Sequence, residues 1–169
     1  MPAKRMLPVA WLALLLAWQP PAAADVAATL QRAPLEIEAG GERHRLEVEL
    51  ARTPAERRRG LMERDHLDAD AGMLFLYEEV QSSRAGFWMY RTRIPLDIAF
   101  LDAAGRIVAL HTMQPCPSRS PYDCPVTVAG AAYHAALEVN AGYFEARGIE
   151  EGDCVSWPGR RSGCRSAAE

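Results

Sequence analysis

Two acidic residues, Asp97 and Glu138, lie inside runs of apolar residues that are typical of buried strands. A charged group removed from water must be paired or lose its charge, and such groups are frequent in active sites. Two carboxyl groups facing one cleft could act as the acid and the base of a hydrolase or lyase. The alternative is structural, with each carboxylate paired to an arginine inside the fold, and the candidate partners are Arg64, Arg91 and Arg93.

Large apolar side chains follow one another from Phe87 to Tyr90. A strand alternates its side chains between two faces, so one or two of them could stand on the wall of a groove and bind a sugar or an apolar ligand. The alternative is ordinary core packing. Because polar residues lie close to apolar runs here, we expect a concave site with a few oriented polar groups. The predicted ligand-binding residues are Arg64, Trp88, Thr92 and Asp97.

Other kinds of site chemistry find little support. Lys4 is the only lysine, and the chain has no glycine-rich phosphate loop, zinc-protease helix or nucleophile elbow. His111 and Met113 could bind copper(I), but methionine is also the usual filler of irregular cores. We therefore predict no metal and no cofactor. The basic triplet of residues 57–59 is interpreted as a solvated helix face rather than an anion site.

Residues 1–24 have the three parts of a secretory signal peptide: a basic start, an apolar run over 7–18, and small residues at 22–24. The apolar run has twelve residues, whereas a membrane-spanning helix needs about 20. We therefore expect a periplasmic or secreted protein with no transmembrane anchor after cleavage. The remaining chain would carry 17 arginines and 22 acidic residues, a net charge of −5. This acidity argues against nucleic acid as a partner.

Four cysteines in a small exported domain usually form disulfides. Three pairings are possible, and the sequence alone does not choose among them. We favour two local bridges, Cys116 with Cys124 and Cys154 with Cys164, because each brackets a stretch containing proline or glycine. Each bridge would contribute about 2 to 3 kcal/mol by restricting the unfolded chain. Zinc binding and a redox-active pair would both favour a Cys-x-x-Cys spacing, which is absent.

The pattern of apolar residues predicts short strands and two small helices. Strands are expected at 35–38, 43–50, 72–77, 86–92, 96–102, 106–113, 135–140 and 154–157. Thr53-Pro54-Ala55-Glu56 has the order of a capping box and predicts a helix to about Met62 or Glu63, and a second helix is expected at 141–147. A proline-rich loop joins strands at 115–125. The turn at 151–153 is predicted to need a positive φ at Gly152.

These elements predict an α+β, β-rich fold: a single compact domain built as a partly closed antiparallel β-barrel with two short helices. The signal peptide is followed by a flexible segment at 25–34, the domain at 35–158 and a C-terminal tail at 159–169. No internal repeat is visible.

Several segments, in one order, resemble a known family of exported bacterial and archaeal proteins, domain-of-unknown-function family 192. The resemblance extends from Leu46 to Trp157. It rests on the segments Thr53–Arg57, Gly60–Arg64, Gly72–Phe75, Phe87–Met89, Thr92, Ile94–Phe100, Asp102–Gly105, Leu137–Glu138, Gly142, Gly148–Ile149 and Gly152–Asp153. The resemblance implies a compact β-rich domain and no established activity. Arg91 stands where the family usually has asparagine.

The leading hypothesis is a non-enzymatic binding or accessory module of the cell envelope. Its partner would be a small ligand, a glycan or an envelope protein. The alternative is a hydrolase or lyase that uses Asp97 and Glu138 as an acid–base pair. The positions of these two side chains distinguish the hypotheses, because catalysis requires both carboxyl groups to face one pocket.

Overall fold

The structure is a computed structural model, and it describes residues 30–160 and 163–164. The frame of the fold is one seven-stranded sheet that curls into a half-barrel, and a two-stranded ribbon packs beside it. The strands are β1 (Arg32–Ala39), β2 (Glu42–Ala51), β3 (Ala71–Gln81), β4 (Gly86–Trp88), β5 (Leu96–Leu101), β6 (Ile107–Met113), β7 (Val126–Val128), β8 (Tyr133–Asn140) and β9 (Cys154–Ser156). The predicted β-rich, partly closed barrel is confirmed.

The large sheet has the strand order β6-β5-β8-β3-β2-β1-β9. All of its neighbouring strands are antiparallel except β2 and β3, which are parallel. The parallel pair arises because the chain leaves β2, passes through the helix α1 (Pro54–Arg59), and returns to the same end of the sheet. The sequence predicted an antiparallel barrel, and this crossover is the departure from it.

The helix α1 begins as the capping box predicts. The Thr53 side chain accepts a hydrogen bond from the Glu56 amide at 3.2 Å, and the Glu56 carboxylate accepts one from the Thr53 amide at 2.8 Å. The helix ends at Arg59, earlier than predicted, because Gly60 turns the chain with φ at 48°. The second predicted helix is reduced to a 3-10 turn at Glu145–Arg147.

Both faces of the central strands are buried. One face packs Leu35, Val48 and Leu137 against a group of residues that includes Phe144 and Trp157. The other face contains more aromatic and sulfur-containing side chains, including Met73, Phe75, Met89 and Phe100. All six residues of β5 are buried, as expected for a strand that is covered on both sides.

Several strand boundaries differ from the prediction, and one strand was not predicted. β1 begins at Arg32, so the end of the predicted flexible segment belongs to the sheet. The strand predicted at 86–92 stops at Trp88, and the chain bends at Arg91, where φ is 58°. β7 was not predicted and pairs with β4. The predicted signal peptide and most of the predicted tail lie outside the described residues.

The two predicted disulfide pairings are present. Cys116 is bonded to Cys124 and Cys154 to Cys164. The first bridge closes the proline-rich loop, and the second ties β9 to the chain beyond it. Gly152 has the positive φ that the turn chemistry predicts, at 103°.

Candidate functional site

Glu138 is a buried carboxyl group without a partner. It lies on β8 and is 4% exposed, and no hydrogen bond or ion pair reaches its carboxyl group from the described part of the chain. Its neighbours across the sheet are Met73 on β3 and Ile98 on β5. Burial raises the pKa of the Glu138 carboxyl to about 8, so the group is mostly neutral at pH 7.

Glu138 lines a small cavity of about 100 Å³ on the aromatic face of the sheet. The cavity is bounded by α1, the turn after it, β3, β4 and the loop before β5. Its lining residues are Arg57, Arg58, Arg59, Leu61, Met62, Phe75, Tyr77, Gly86, Phe87, Trp88, Thr92 and Glu138. We refer to it as the Glu138 cavity. It joins an apolar wall, a neutral acid and a basic edge in one place.

Aromatic rings form the wall of the Glu138 cavity. Phe75 and Phe87 pack edge to face with their ring centroids 4.8 Å apart. Trp88 follows Phe87 and points the other way along β4, which leaves 37% of its surface exposed. A large, partly exposed tryptophan at the edge of a cavity is suited to contact a ligand. Trp88 thus lies at the edge of the cavity that Glu138 and Thr92 also line.

Tyr77 forms part of the same wall and is covered by a guanidinium group. The Arg57 guanidinium lies 4.6 Å from the centroid of the Tyr77 ring, and it donates a hydrogen bond to the Leu76 carbonyl at 2.9 Å. Behind it, Tyr133 packs edge to face on Tyr77 with centroids 5.6 Å apart. Burial raises the pKa of both phenol groups, which keeps them neutral.

Arg58 and Arg59 complete the basic edge. Both side chains are exposed, and neither has a hydrogen-bond or ion-pair partner among the described residues. From the sequence alone, this triplet is interpreted as a solvated helix face. The structure adds that all three arginines line the Glu138 cavity, which the helical pattern alone did not indicate.

Thr92 is buried at the side of the Glu138 cavity, and a strained turn holds it there. Arg91, directly before it, has φ at 58°, and Glu63 has φ at 62°. The Glu63 amide donates to the Arg91 carbonyl at 2.8 Å, and the Arg91 side chain donates to the Glu63 carboxylate. Thr92 also lines a neighbouring cavity of about 500 Å³ next to the Cys116 bridge.

Asp97 points to the opposite face of the sheet. In the register of β5 and β8, Asp97 lies across from Val139 while Glu138 lies across from Ile98. Partners across a sheet share a face, so the two carboxyl groups point in opposite directions. Asp97 accepts a hydrogen bond from the Thr112 hydroxyl at 2.7 Å and one from the Phe144 amide at 3.5 Å. The predicted acid–base pair does not share a pocket, and Asp97 is not part of the predicted groove.

Arg64 is also separate from Trp88 and Thr92. It forms a two-pronged salt bridge with Glu49, with N–O distances of 2.6 and 2.7 Å. The pair lines a different cavity of about 380 Å³, together with Leu67 and the loop before β3. The predicted groove of four residues is therefore divided: Trp88 and Thr92 meet at the Glu138 cavity, and the other two lie elsewhere.

The predicted arginine partners of the buried carboxylates bind other acids. Arg91 pairs with Glu63, and Arg93 pairs with both Glu63 and Asp65. Neither Asp97 nor Glu138 is paired with Arg64, Arg91 or Arg93, so the hypothesis that these arginines neutralise the two buried carboxyl groups is wrong. Within residues 30–160 and 163–164, no group of three or more His, Cys, Asp or Glu side chains could hold a metal ion.

Comparison with known proteins shows the family of this chain. The family model of domain-of-unknown-function family 192, described as an uncharacterized ACR family, matches residues 35–157. The chain belongs to this family. Several segments that carry the resemblance to family 192 meet at the Glu138 cavity although they are far apart in sequence, namely Arg57, Met62, Phe75, Trp88, Thr92 and Glu138.

Two solved structures have the same fold. A Sinorhizobium meliloti 1021 protein, provisionally described as a transcription regulator, is 30% identical with a TM-score of 0.68, over 76% of this chain and 95% of its own. A Novosphingobium aromaticivorans DSM 12444 protein of unknown function is 36% identical with a TM-score of 0.65, over 78% of this chain and 89% of its own. None of the curated proteins compared with this chain matches it. No helix among the described residues is long and apolar enough to cross a membrane.

Proposed function

We propose that this protein is an exported binding module whose ligand enters the Glu138 cavity. The observation that carries the proposal is an unpaired, buried carboxyl group facing an open cavity. No described protein group pairs with this carboxyl group, so its hydrogen-bonding capacity remains available to a ligand in the cavity.

The surroundings of Glu138 support binding more than catalysis. A hydrolase of the predicted kind needs a second carboxyl group across a cleft, and Asp97 lies behind the sheet. The cavity instead combines an apolar aromatic wall with a few polar groups, which is the usual composition of small-molecule sites. Its volume of about 100 Å³ fits the end group of a ligand, and the exposed Trp88 would contact the rest.

The export of this module is part of the proposal. It rests on the signal-peptide pattern of residues 1–24 and on two disulfides, which persist in oxidising compartments. The ligand would therefore be a small molecule, a glycan or an exposed group of another envelope component.

Native mass spectrometry tests the proposal. The full chain is expressed in a bacterium with a periplasm, and the mature protein is purified from that compartment and measured under native and denaturing conditions. We expect a bound mass that is lost on denaturation and is absent from Trp88→Ala. The matched control is Tyr122→Ala, because Tyr122 is an aromatic residue 96% exposed and outside the cavity. A bound mass that Trp88→Ala retains, or an unliganded mass in the unmodified protein, would contradict the proposal.

A further inference from the structure

The charge around the Glu138 cavity defines the kind of group it can take. Arg57, Arg58 and Arg59 supply three positive charges at its edge. Arg57 is engaged by the Leu76 carbonyl and the Tyr77 ring, whereas the other two guanidinium groups have no described partner. Guanidinium groups bind carboxylate and phosphate oxygens with two parallel hydrogen bonds.

The interior of the cavity carries no negative charge to oppose such a group. The pKa of Glu138 is raised by burial alone, and no arginine lies close enough to return the carboxyl to its charged form. A protonated carboxyl group is a hydrogen-bond donor, and it can donate to a ligand oxygen. A cationic ligand would be repelled by the three arginines at the edge of the cavity. It could not stack on the Tyr77 ring either, because Arg57 already covers that ring.

We infer that the ligand carries an oxyanion, either a carboxylate or a phosphate, which Arg58 and Arg59 bind at the edge of the cavity while the Glu138 carboxyl donates a hydrogen bond to it from inside. This inference rests on the proposed function and specifies its ligand class. Trp88 presents an exposed ring beside the basic edge, so the oxyanion would be carried on a molecule with a flat apolar or sugar face.

The mechanism makes binding depend on the proton of Glu138. Ionised Glu138 would repel the oxyanion, so affinity falls as pH rises through the pKa of the carboxyl. Above about pH 8 the loss is about tenfold per pH unit. The other titratable or charged groups on this face include Tyr77 on β3, Tyr133 on β8, Arg57–Arg59 on α1, His111 on β6, and Glu49 on β2 with its partners Arg64 and Arg32.

Isothermal titration calorimetry tests the inference with four matched sugars. D-glucuronate and glucose 6-phosphate carry the two kinds of oxyanion, glucosamine carries a cation, and glucose is neutral. We expect at least one anionic sugar to bind and to be preferred about tenfold or more over glucosamine and glucose. Carboxylate and phosphate sources are distinguished by which of the two anionic sugars binds more tightly.

Three variants isolate the groups involved. Glu138→Gln keeps a neutral donor at every pH, so whatever its affinity at pH 7, that affinity should not decline above about pH 8. The double variant Arg58→Gln/Arg59→Gln should weaken binding about tenfold or more. Its matched control is Arg43→Gln/Arg45→Gln, which removes the same charge from exposed arginines outside the cavity and should leave affinity unchanged.

Two results would overturn the inference without touching the proposed function. One is tighter binding of glucosamine than of either anionic sugar, and the other is an affinity for D-glucuronate that rises with pH, because glucuronate keeps a single charge whereas the phosphate ester gains its second charge at about pH 6. Absence of binding by all four sugars at millimolar concentration would also overturn the inference, while a bound mass lost in Trp88→Ala would leave the proposed function standing. Absence of both would refute the two together.

Discussion

Replacing Glu138 by glutamine should change how the stability of this fold depends on pH. Burial holds the carboxyl pKa at about 8 in the folded chain, against 4.5 for an ordinary glutamate. Below pH 4.5 the group is protonated in both the folded and the unfolded chain and has no effect on the free energy of unfolding. Between pH 4.5 and 8 only the unfolded chain ionises, so stability decreases as pH rises.

The size of the effect follows from the width of this window. Each pH unit within it lowers the free energy of unfolding by about 1.4 kcal/mol. The window spans 8 minus 4.5, or 3.5 units, so the complete loss is about 5 kcal/mol and is reached above pH 8. A small domain has a total stability of about 5 to 15 kcal/mol, so the change is large enough to measure.

Urea unfolding at about pH 5, 6.5, 8 and 9 measures it directly. Glutamine does not titrate, so the stability of Glu138→Gln relative to the unmodified chain should rise by about 3 to 4 kcal/mol between about pH 5 and 8. If the glutamine amide packs less well than the carboxyl group, the free energy of unfolding of the variant falls by the same amount at every pH, and its change with pH is unaffected. Glu42→Gln, on an exposed carboxyl of β2, should run parallel to the unmodified chain. If the stability of Glu138→Gln depends on pH in the same way as that of the unmodified chain, Glu138 is not a neutral buried acid in the folded chain.

Three further substitutions test backbone features that shape the site. Gly72→Ala should destabilise the fold by about 1 to 3 kcal/mol in urea, because the added Cβ would lie 2.6 Å from the Glu138 carbonyl oxygen; an unchanged midpoint would show that β3 and β8 can separate. Arg91→Asn and Arg91→Ala both lose the contact with Glu63, but asparagine tolerates φ at 58° better than alanine does. Urea unfolding should therefore show Arg91→Asn to be the more stable of the two by about 0.5 to 1 kcal/mol. Equal stabilities would argue against backbone strain at this position. Gly152→Val should cost about 1 to 3 kcal/mol and lower the melting temperature, because φ at 103° is unfavourable for a β-branched residue; an unchanged melting temperature would contradict this reasoning.

Features governed by neighbouring residues were predictable from the sequence. The capping box around Thr53 determines where α1 begins, and the stretches containing proline or glycine between the cysteines favour the two local disulfides. Glu138 could be singled out because a charged residue in an apolar strand is unusual. The predicted importance of Trp88 and Thr92 has the same origin, since both lie next to apolar runs.

The assembly of the site depends on pairings that the sequence does not state. The register between β5 and β8 decides whether Asp97 and Glu138 share a face, and a shift of one residue reverses the answer. The pairing of Arg64 with Glu49 depends on where the turn after α1 meets β2. The arginines of α1 become part of the site only because the crossover places the helix beside β3.

The central claim is that an oxyanion ligand binds at the Glu138 cavity, and two-dimensional NMR spectroscopy tests it most directly. Labelled protein is titrated with D-glucuronate and with glucose 6-phosphate at about pH 6.5, where Glu138 is protonated. The account predicts chemical-shift changes at the Trp88 indole N–H, the Met62 methyl group and the Thr92 amide, and no change around Arg64. Changes centred on the Arg64 cavity, or no change at any of these groups with either sugar, would contradict it.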